Sequence, residues 1–356
     1  MEQRARDGAP LDELVRIAVQ FCRLAEERHP RRGPGRPPVI PDWVLAVMVM
    51  VAVMLRKKAK SAQYAWWNNR RGDFARWFVG QKFPGRSTFF DRYHRIHGLF
   101  QHALVLQGQE AVRKGWADAQ CVAIDKSLIG GRGRPWSRRD RRQNKRRKRV
   151  DHDTTWGYSK HHGWVQGYST EVIVTAGPDR INWPLIASAD TASRSEQKSC
   201  LDKFVRLPKE TRFVLADSGY DSNAVGEAVE WDAHGQRTGC RFLCPEVNRP
   251  NNGKSRQPHP RQSRERQHHR RLREARRTYF LSPHGRRLYA RRKVSVEPFH
   301  SHWKHLFDLD HRVWHWGLAN NRTMLVAAIF AYQTLLTYNH RHRLRSTCIK
   351  AILDAL

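Results

Sequence analysis

Acidic residues are scarce in this chain of 356 residues, which has 33 Asp and Glu against 66 Lys and Arg. The formal net charge is therefore +33 with histidine neutral. Such an excess makes the surface strongly positive and attracts polyanions, which indicates a nucleic acid as the partner. A hydrophobic share of 39%, with 13 Trp and 14 Phe, indicates a folded core and argues against a merely basic tail.

Cysteine clusters, long apolar runs and nucleotide-binding loops are also lacking. The six cysteines are scattered, and the one close pair, Cys240 and Cys244, has no second pair at zinc-ligand spacing. The longest apolar run, Trp43 to Leu55, is too short to cross a bilayer, and the charged N-terminus does not fit a signal peptide. Without a glycine-rich loop ending in Gly-Lys-Ser/Thr, we expect no nucleotide cofactor. The sequence predicts a cytoplasmic, nucleoid-associated protein with no membrane partner.

Residues 1–115 show only helical patterns. Apolar residues recur at helical spacing from Leu11 to Glu27 and again from about Pro41 to Leu55. A basic stretch rich in Pro and Gly, residues 29–38, separates these two segments and reads as a linker. We therefore predict an all-helical N-terminal domain.

The pattern changes at about residue 116, where short apolar runs typical of strands begin. The predicted strands are Cys121–Asp125, two within Trp164–Gly177, Thr211–Ala216 and Cys240–Val247, with a helix over Asn223–Trp231. This alternation predicts an α/β catalytic domain over 116–325, and the long apolar helix near its end predicts a C-terminal helical region over 318–356. Two segments rich in Arg and Lys, 130–151 and 248–277, are predicted as surface insertions.

In a chain with few acids, carboxylates at the ends of predicted strands are candidates for chemistry. Asp125 and Asp217 each follow an apolar run and precede turn-forming residues, so each is expected to project from the sheet edge. Glu297 stands before Pro298 at a predicted helix start, which places a third carboxylate at the entrance of that helix. Taken singly, an Asp at a strand end is more often a cap or turn former than a ligand.

Three carboxylates from two strands and a helix form an oxygen-rich site suited to Mg²⁺, with Mn²⁺ as a possible substitute. In two-metal chemistry, ions about 3.5 to 4 Å apart activate the attacking hydroxyl and stabilise the leaving oxygen of a phosphodiester. We therefore predict that Asp125, Asp217 and Glu297 are the catalytic residues and hold two ions, with no side-chain nucleophile.

Three motifs carry a resemblance to a known family: CVAID (121–125), VLADSGYDS (214–222) and VEPFHSHWK (296–304). They resemble the DDE transposases of bacterial insertion sequences, which have an RNase H-like catalytic core. The second motif reproduces the family's Asp-x-Gly-Tyr-Asp pattern, in which Asp217 maps to the second catalytic acid. The resemblance covers roughly residues 122–307 and implies an RNase H-like mixed sheet flanked by helices.

One branch of that family places Tyr, Arg, Glu and Lys around the third acid, with two, three and six residues between successive members. Tyr289 and Arg292 keep the first spacing, and Glu297 and Lys304 keep the last, but the middle spacing fails. Lys293 occupies the position that the pattern gives to Arg, so Arg292 and Lys293 both remain candidates for the phosphate-binding role. Lys304 is predicted on the same helix face as Glu297, about two turns later, near a phosphate.

Two Gly-Arg-Pro tripeptides, 35–37 and 133–135, resemble the short hook that lays an Arg into a narrow minor groove. An equal alternative is a rigid basic linker that contacts phosphates without reading sequence. In both cases Arg36 and Arg134 are predicted to contact DNA.

The resemblance implies that two protomers bind the terminal inverted repeats of their own element, cut its ends and join each freed 3′-hydroxyl to target DNA. The predicted function is thus metal-dependent cut-and-paste transposition by a homodimer on double-stranded DNA. Two alternatives stay open: a decayed or domesticated transposase that binds DNA without cutting it, and a non-enzymatic nucleic-acid-binding protein. Carboxylates more than about 10 Å apart would favour the latter, because a two-metal site needs closer ligands.

Overall fold

The computed structural model describes residues 9–30, 39–78, 80–143, 148–160, 162–178, 182–247, 264–344 and 348–356. In chain order its strands are β1 (Cys121–Gly130), β2 (Thr155–Ser159), β3 (Gly163–Thr175), β4 (Pro184–Thr191), β5 (Phe213–Leu215) and β6 (Arg241–Leu243). Its α-helices are α1 (Ala9–Arg28), α2 (Asp42–Met54), α3 (Lys60–Arg70), α4 (Arg86–Tyr93), α5 (His97–Arg113), α6 (Arg138–Arg142), α7 (Glu196–Ser199), α8 (Leu201–Phe204), α9 (Asn223–Glu230), α10 (Arg264–Leu281), α11 (Pro283–Lys293), α12 (Val296–Leu306), α13 (Leu318–Arg341) and α14 (Ile349–Asp354).

The N-terminal region is helical, as its periodicity predicts, and α2 lies at its centre. Every residue of α2 is buried, because a helix that is apolar on all faces must be covered on all sides. Its first N–H groups have no capping side chain of their own, and the carboxylate of Glu26 on α1 accepts from Asp42 and Trp43 at 2.9 Å. Among the described helices, none combines the length and apolar composition that spanning a bilayer requires.

Helix α13 joins the helical region to the sheet. It packs against α1, α2 and α5 on one side and against β4 on the other. Its residues from Thr323 to Asn339 are buried, which matches the apolar pattern that predicts it. The helices at both ends of the chain and the sheet therefore share one hydrophobic core.

The sheet is mixed, with the order β2-β3-β1-β5-β6 and with β4 paired to β3. Strand β1 runs antiparallel to β3 and parallel to β5, and β5 runs parallel to β6. Helices flank the sheet, since α5 and α13 pack on β4 and α11 and α12 pack on β1. This architecture confirms the predicted α/β class, an RNase H-like mixed sheet with a helical N-terminal region.

Several elements differ from the sequence prediction: β2 has no counterpart in it, and the two strands predicted within Trp164–Gly177 form the single strand β3. Strand β1 does not end at Asp125 but continues to Gly130, because β3 pairs with it over that whole length. Strand β4 has no counterpart in the prediction. Helix α10 occupies part of the predicted insertion 248–277, of which residues 248–263 lie outside the described residues.

Candidate active site

Asp125 and Asp217 lie at the same level on neighbouring parallel strands. Ala123 of β1 pairs with Leu215, the last residue of β5, and each acid comes two residues after its paired residue. Side chains two residues apart along extended backbone point to the same face, so both carboxylates leave the sheet on one side. The prediction of a strand end holds for Asp217 but is wrong for Asp125, which lies within β1 where its pairing with β5 stops.

The turn after β5 fixes the orientation of Asp217. Its Oδ1 accepts the backbone N–H of Gly219 at 2.9 Å, and its carbonyl accepts from the Cys244 thiol at 2.9 Å. The cap of α9 is Ser222 and not Asp221, with Ser222 Oγ accepting from the backbone N–H of Val225 at 3.2 Å. Asp221 instead accepts from the backbone of Val247 through Oδ2 at 3.0 Å.

Tyr220 of the same turn is anchored in the interior. Its hydroxyl donates to Oε1 of Glu171 on β3 at 3.0 Å, and the other oxygen of Glu171 forms an ion pair with Lys203 at 2.6 Å. The side chains of Glu171 and Lys203 are only 4% and 3% exposed. This buried pair therefore ties the turn that carries Asp217 to β3 and α8.

Glu297 lies in the first turn of α12, as predicted. Phe299, Trp303 and Leu306 of that helix are buried and hold it on the core, while the Glu297 side chain is 47% exposed. A short break separates α11 from α12, in which the Ser295 hydroxyl donates to the carbonyl of Arg292 at 3.0 Å. Arg292 and Glu297 thus stand on the two sides of this break.

Arg292 brings the three acids together. Its Nη2 lies 3.0 Å from Oδ2 of Asp125 and 3.9 Å from Oδ2 of Asp217, and its Nη1 lies 3.9 Å from Oε1 of Glu297. The Arg292 side chain is 12% exposed, whereas Lys293 is exposed and makes no ion pair among those described. No acid is more than 3.9 Å from the guanidinium, so the three carboxylates share one cation.

The crowding of acids in a partly buried cleft shifts their proton affinities. Burial raises the pKa of Asp125 to about 6, with the charge of Arg292 opposing the shift and that of Asp217 adding to it. Burial likewise raises the pKa of Glu196 to about 7, and repulsion by Asp217 adds to that effect. Lys126 lies close to Glu196 and opposes the rise.

Glu196 is a further acid close to Asp217 that the sequence does not reveal as a neighbour of the site. It is the first residue of α7, and its carboxylate reaches the turn after β5. A Cβ built on Gly219 would lie 1.9 Å from Oε2 of Glu196, so only glycine fits at that position without movement. No local pattern gives this contact, because the two residues lie on different elements and meet only in the folded chain.

The other predicted DNA contacts are spread over the molecule. Lys304 is buried, its Nζ donates to the carbonyl of Leu128 on β1 at 2.9 Å, and burial lowers its pKa to about 8. Tyr289 lies three residues before Arg292 on α11 and packs on Phe280, with ring centroids 4.9 Å apart. Arg134 is exposed beyond the end of β1, and Arg36 lies outside the described residues.

The donor set fits hard divalent cations, since it consists of carboxylate oxygens, two of them on side chains that are 41% and 47% exposed. Within the part of the chain that the structure describes, no three His, Cys, Asp or Glu side chains form a closed cage around one point. Arg292 lies between the carboxylates and supplies the compensating positive charge.

A mixed sheet flanked by helices, with a helical N-terminal region, is the architecture of an RNase H-like DDE domain. The sequence profile of the transposase DDE domain matches residues 116–333, more than half of the chain. The chain therefore belongs to the DDE transposase family, and its class of activity is that of a transposase-type nuclease. The resemblance seen in the three motifs is confirmed. No curated protein and no solved structure matches the chain.

Proposed function

We propose that this chain is an active transposase that cuts DNA at the ends of its element and transfers the cut strands to target DNA. Asp125, Asp217 and Glu297 are its catalytic acids. The observation that supports this proposal is their convergence on the guanidinium of Arg292, at 3.0, 3.9 and 3.9 Å. Scattered structural acids, which the non-enzymatic alternative requires, would have no reason to meet at one point.

The three acids hold two divalent ions, Mg²⁺ with Mn²⁺ as a substitute. When bound, such ions supply the activation of the attacking hydroxyl and the stabilisation of the leaving oxygen. The position of Asp125 is fixed by the pairing of β1 with β3, in which Asp125 lies opposite Val172. Asp217 is oriented by the N–H of Gly219, and Glu297 by the first turn of α12.

Arg292, rather than Lys293, is the base that serves the scissile phosphate. Its planar fork of donors already lies among the catalytic carboxylates, and that fork matches a phosphate as well as a carboxylate. Lys293, at the exposed end of α11, contacts the DNA backbone. Tyr289, on the same helix, supports Arg292. Lys304 gives up its hydrogen bond to the Leu128 carbonyl when it binds a phosphate. Before DNA binds, that hydrogen bond helps to hold β1 in place.

The DNA partner is double-stranded and includes both the terminal inverted repeats and the target. A net charge of +33 supplies the attraction, and Arg36 and Arg134 contact the backbone or a minor groove. Two protomers act together, one on each end, as a homodimer on DNA. The protein acts in the cytoplasm at the nucleoid, as expected for a bacterial insertion-sequence enzyme.

The test is cleavage of labelled DNA that carries the element's own ends, with Mg²⁺ or Mn²⁺ against EDTA. Asp217→Asn preserves shape and an acceptor for Gly219 but removes the charge, so we expect DNA binding without cutting. Asp73→Asn is the matched control, because Asp73 is exposed and follows α3, outside the site. Binding without cutting by the unaltered protein, under every ion tried, would favour the decayed or domesticated alternative.

A further inference from the structure

The sheet pairing that holds β1 and β5 side by side ends before it reaches the two aspartates. Its last pair is Ala123 with Leu215, two residues before Asp125 and Asp217. Strand β3 still pairs with β1 beyond that point, but Asp217 begins the turn after β5, residues 217–221, which we call the catalytic turn. Contacts outside the β1–β5 ladder must therefore help to set the position of Asp217 relative to Asp125.

One such contact begins at Lys126, the residue after Asp125. The Nζ of Lys126 donates to the carbonyls of Ala192 and Arg194, at 2.8 and 2.7 Å. The backbone N–H of Lys126 donates to Oδ1 of Asp125 at 2.9 Å. Lys126 therefore joins the Asp125 carboxylate to the connecting segment, which we define as residues 192–197, from the end of β4 to the first turn of α7.

The other end of the connecting segment holds the catalytic turn. The Nε2 of Gln197 donates to the carbonyls of Gly219 and Asp221, at 3.3 and 3.2 Å. The carboxylate of Glu196 lies against Gly219, where a Cβ would be 1.9 Å from Oε2. Because the two acceptor carbonyls belong to the residues before and after Tyr220, the Gln197 amide spans the catalytic turn.

The connecting segment is itself fixed to the sheet. The backbone N–H of Ser193 donates to Oγ1 of Thr155 on β2 at 2.8 Å. At the end of α7, the Ser199 hydroxyl donates to Oε1 of Glu171 on β3 at 2.8 Å, and the same oxygen accepts from Tyr220. A segment that is anchored on two strands and bonded at both ends can hold Lys126 and the catalytic turn at a fixed distance.

We infer that Gln197 and Lys126 are positioning residues, which set the separation of the Asp217 and Asp125 carboxylates through the connecting segment. The inference rests on the proposed function, because it takes these two acids as a catalytic pair. Both side chains act through backbone carbonyls of other elements. Outer contacts of this kind orient the carboxylates that hold metal ions, and their loss typically reduces metal affinity or activity about 10- to 100-fold.

The direction of the Gln197 hydrogen bonds argues against a role in α7 alone. Helix α7 has four residues, and no side chain caps its first turn. A side chain that served this helix would accept from the free N–H groups there. Gln197 instead donates to two carbonyls of the catalytic turn, and only the amide NH₂ can donate, so both acceptors require the same orientation of the amide.

The first test compares cleavage by Gln197→Leu with Mg²⁺ and with Mn²⁺. Mg²⁺ demands near-ideal octahedral geometry, so a displaced carboxylate should impair it more than the larger Mn²⁺. We expect cleavage to fall about 100-fold with Mg²⁺ and about tenfold with Mn²⁺. A smaller folded fraction would lower both rates by one factor and leave their ratio unchanged. Gln236→Leu is the control, because Gln236 is exposed between α9 and β6.

Lys126→Met releases the opposite end of the connecting segment and should show the same bias against Mg²⁺. The double variant with Gln197→Leu should lose less activity than the product of the two separate losses, since both changes act through one segment. Lys198→Met, on the exposed face of α7, is the control for the lost charge.

The second test needs neither metal nor DNA. In Gln197→Leu, the backbone N–H groups of Gly219, Tyr220 and Asp221 should exchange with solvent faster by roughly tenfold, the size expected when two ordinary hydrogen bonds are lost. Exchange of the β5 amides should be unchanged. Gln236→Leu should leave both sets of amides as they are in the unaltered protein.

An unchanged ratio of Mg²⁺- to Mn²⁺-supported cleavage in Gln197→Leu would overturn the inference, whatever the size of the loss, and would leave the proposed function standing. Absence of cutting by the unaltered protein with both ions would refute the proposed function. Hydrogen exchange would then decide the inference by itself: faster exchange confined to the catalytic turn supports the positioning of Asp217, and unchanged exchange overturns it.

Discussion

The guanidinium of Arg292 and the carboxylate of Asp125 form an ion pair at 3.0 Å in which neither side chain exceeds 17% exposure. Removing Arg292 leaves three acids without their common cation, so Arg292→Ala should reduce cleavage at least about 100-fold, the order expected for loss of a group that stabilises transition-state charge. Arg292→Lys keeps the positive charge but loses the planar guanidinium, so its cleavage rate should lie between those of the unaltered protein and Arg292→Ala. Lys293→Ala, the exposed neighbour, should change the rate by less than about twofold. A larger effect from Lys293 would reverse the assignment.

Metal affinity should depend on pH through the crowded acids. Burial raises the pKa of Asp125 to about 6, so this carboxyl is protonated below that pH and must lose its proton before it can bind an ion. The affinity for Mn²⁺, measured by calorimetry, should therefore increase as the pH rises from about 5 to about 7. Glu196→Gln removes a neighbouring negative charge and should move the midpoint to lower pH. An unmoved midpoint would show that Glu196 does not act on Asp125.

Gly219 and Glu196 should behave as a coupled pair. Gly219→Ala places a Cβ 1.9 Å from Oε2 of Glu196, and we expect a loss of about 1 kcal/mol, at the low end for overpacking because the carboxylate can rotate away. In the Glu196→Ala background the same change should cost less, with only the contact of that Cβ to Oδ1 of Asp217 at 3.0 Å remaining. Urea unfolding of the four proteins measures the coupling. Gly72→Ala serves as control, since nothing lies within 4 Å of a Cβ there.

The buried ion pair between Glu171 and Lys203 should dominate the stability of the catalytic turn. Lys203→Met leaves Glu171 without its cation and should cost about 3–5 kcal/mol, whereas Tyr220→Phe removes one hydrogen bond and should cost about 1 kcal/mol. Chemical denaturation gives both values. Lys198→Met on the exposed face of α7 is the matched control and should lie within about 0.5 kcal/mol of the unaltered protein.

What the sequence could predict was local. The apolar runs before Asp125 and Asp217, and Pro298 next to Glu297 in the first turn of α12, are each local signals of a few residues, and the structure brings these three acids together. The choice between Arg292 and Lys293 could not be made from spacing, because it depends on how the break between α11 and α12 turns the chain. Helical periodicity places Lys304 on the same helix face as Glu297. It carries no information on how deeply the Lys304 side chain is buried, because that depends on β1, which covers it. The sequence does not show that Glu196 lies near the site, because its contact with Gly219 joins two separate elements that meet only in the folded chain.

Helix α13 completes a core that includes α1 and α2, so these two helices bury part of their apolar surface only after α13 has been synthesised. A chain that stops before α13 would expose the part of α2 that packs on α13, and proteins with such exposed apolar surface are degraded by proteases or aggregate. Shortened copies of this transposase should therefore not accumulate as inhibitors that occupy DNA ends. The cell would contain either the whole enzyme or none of it.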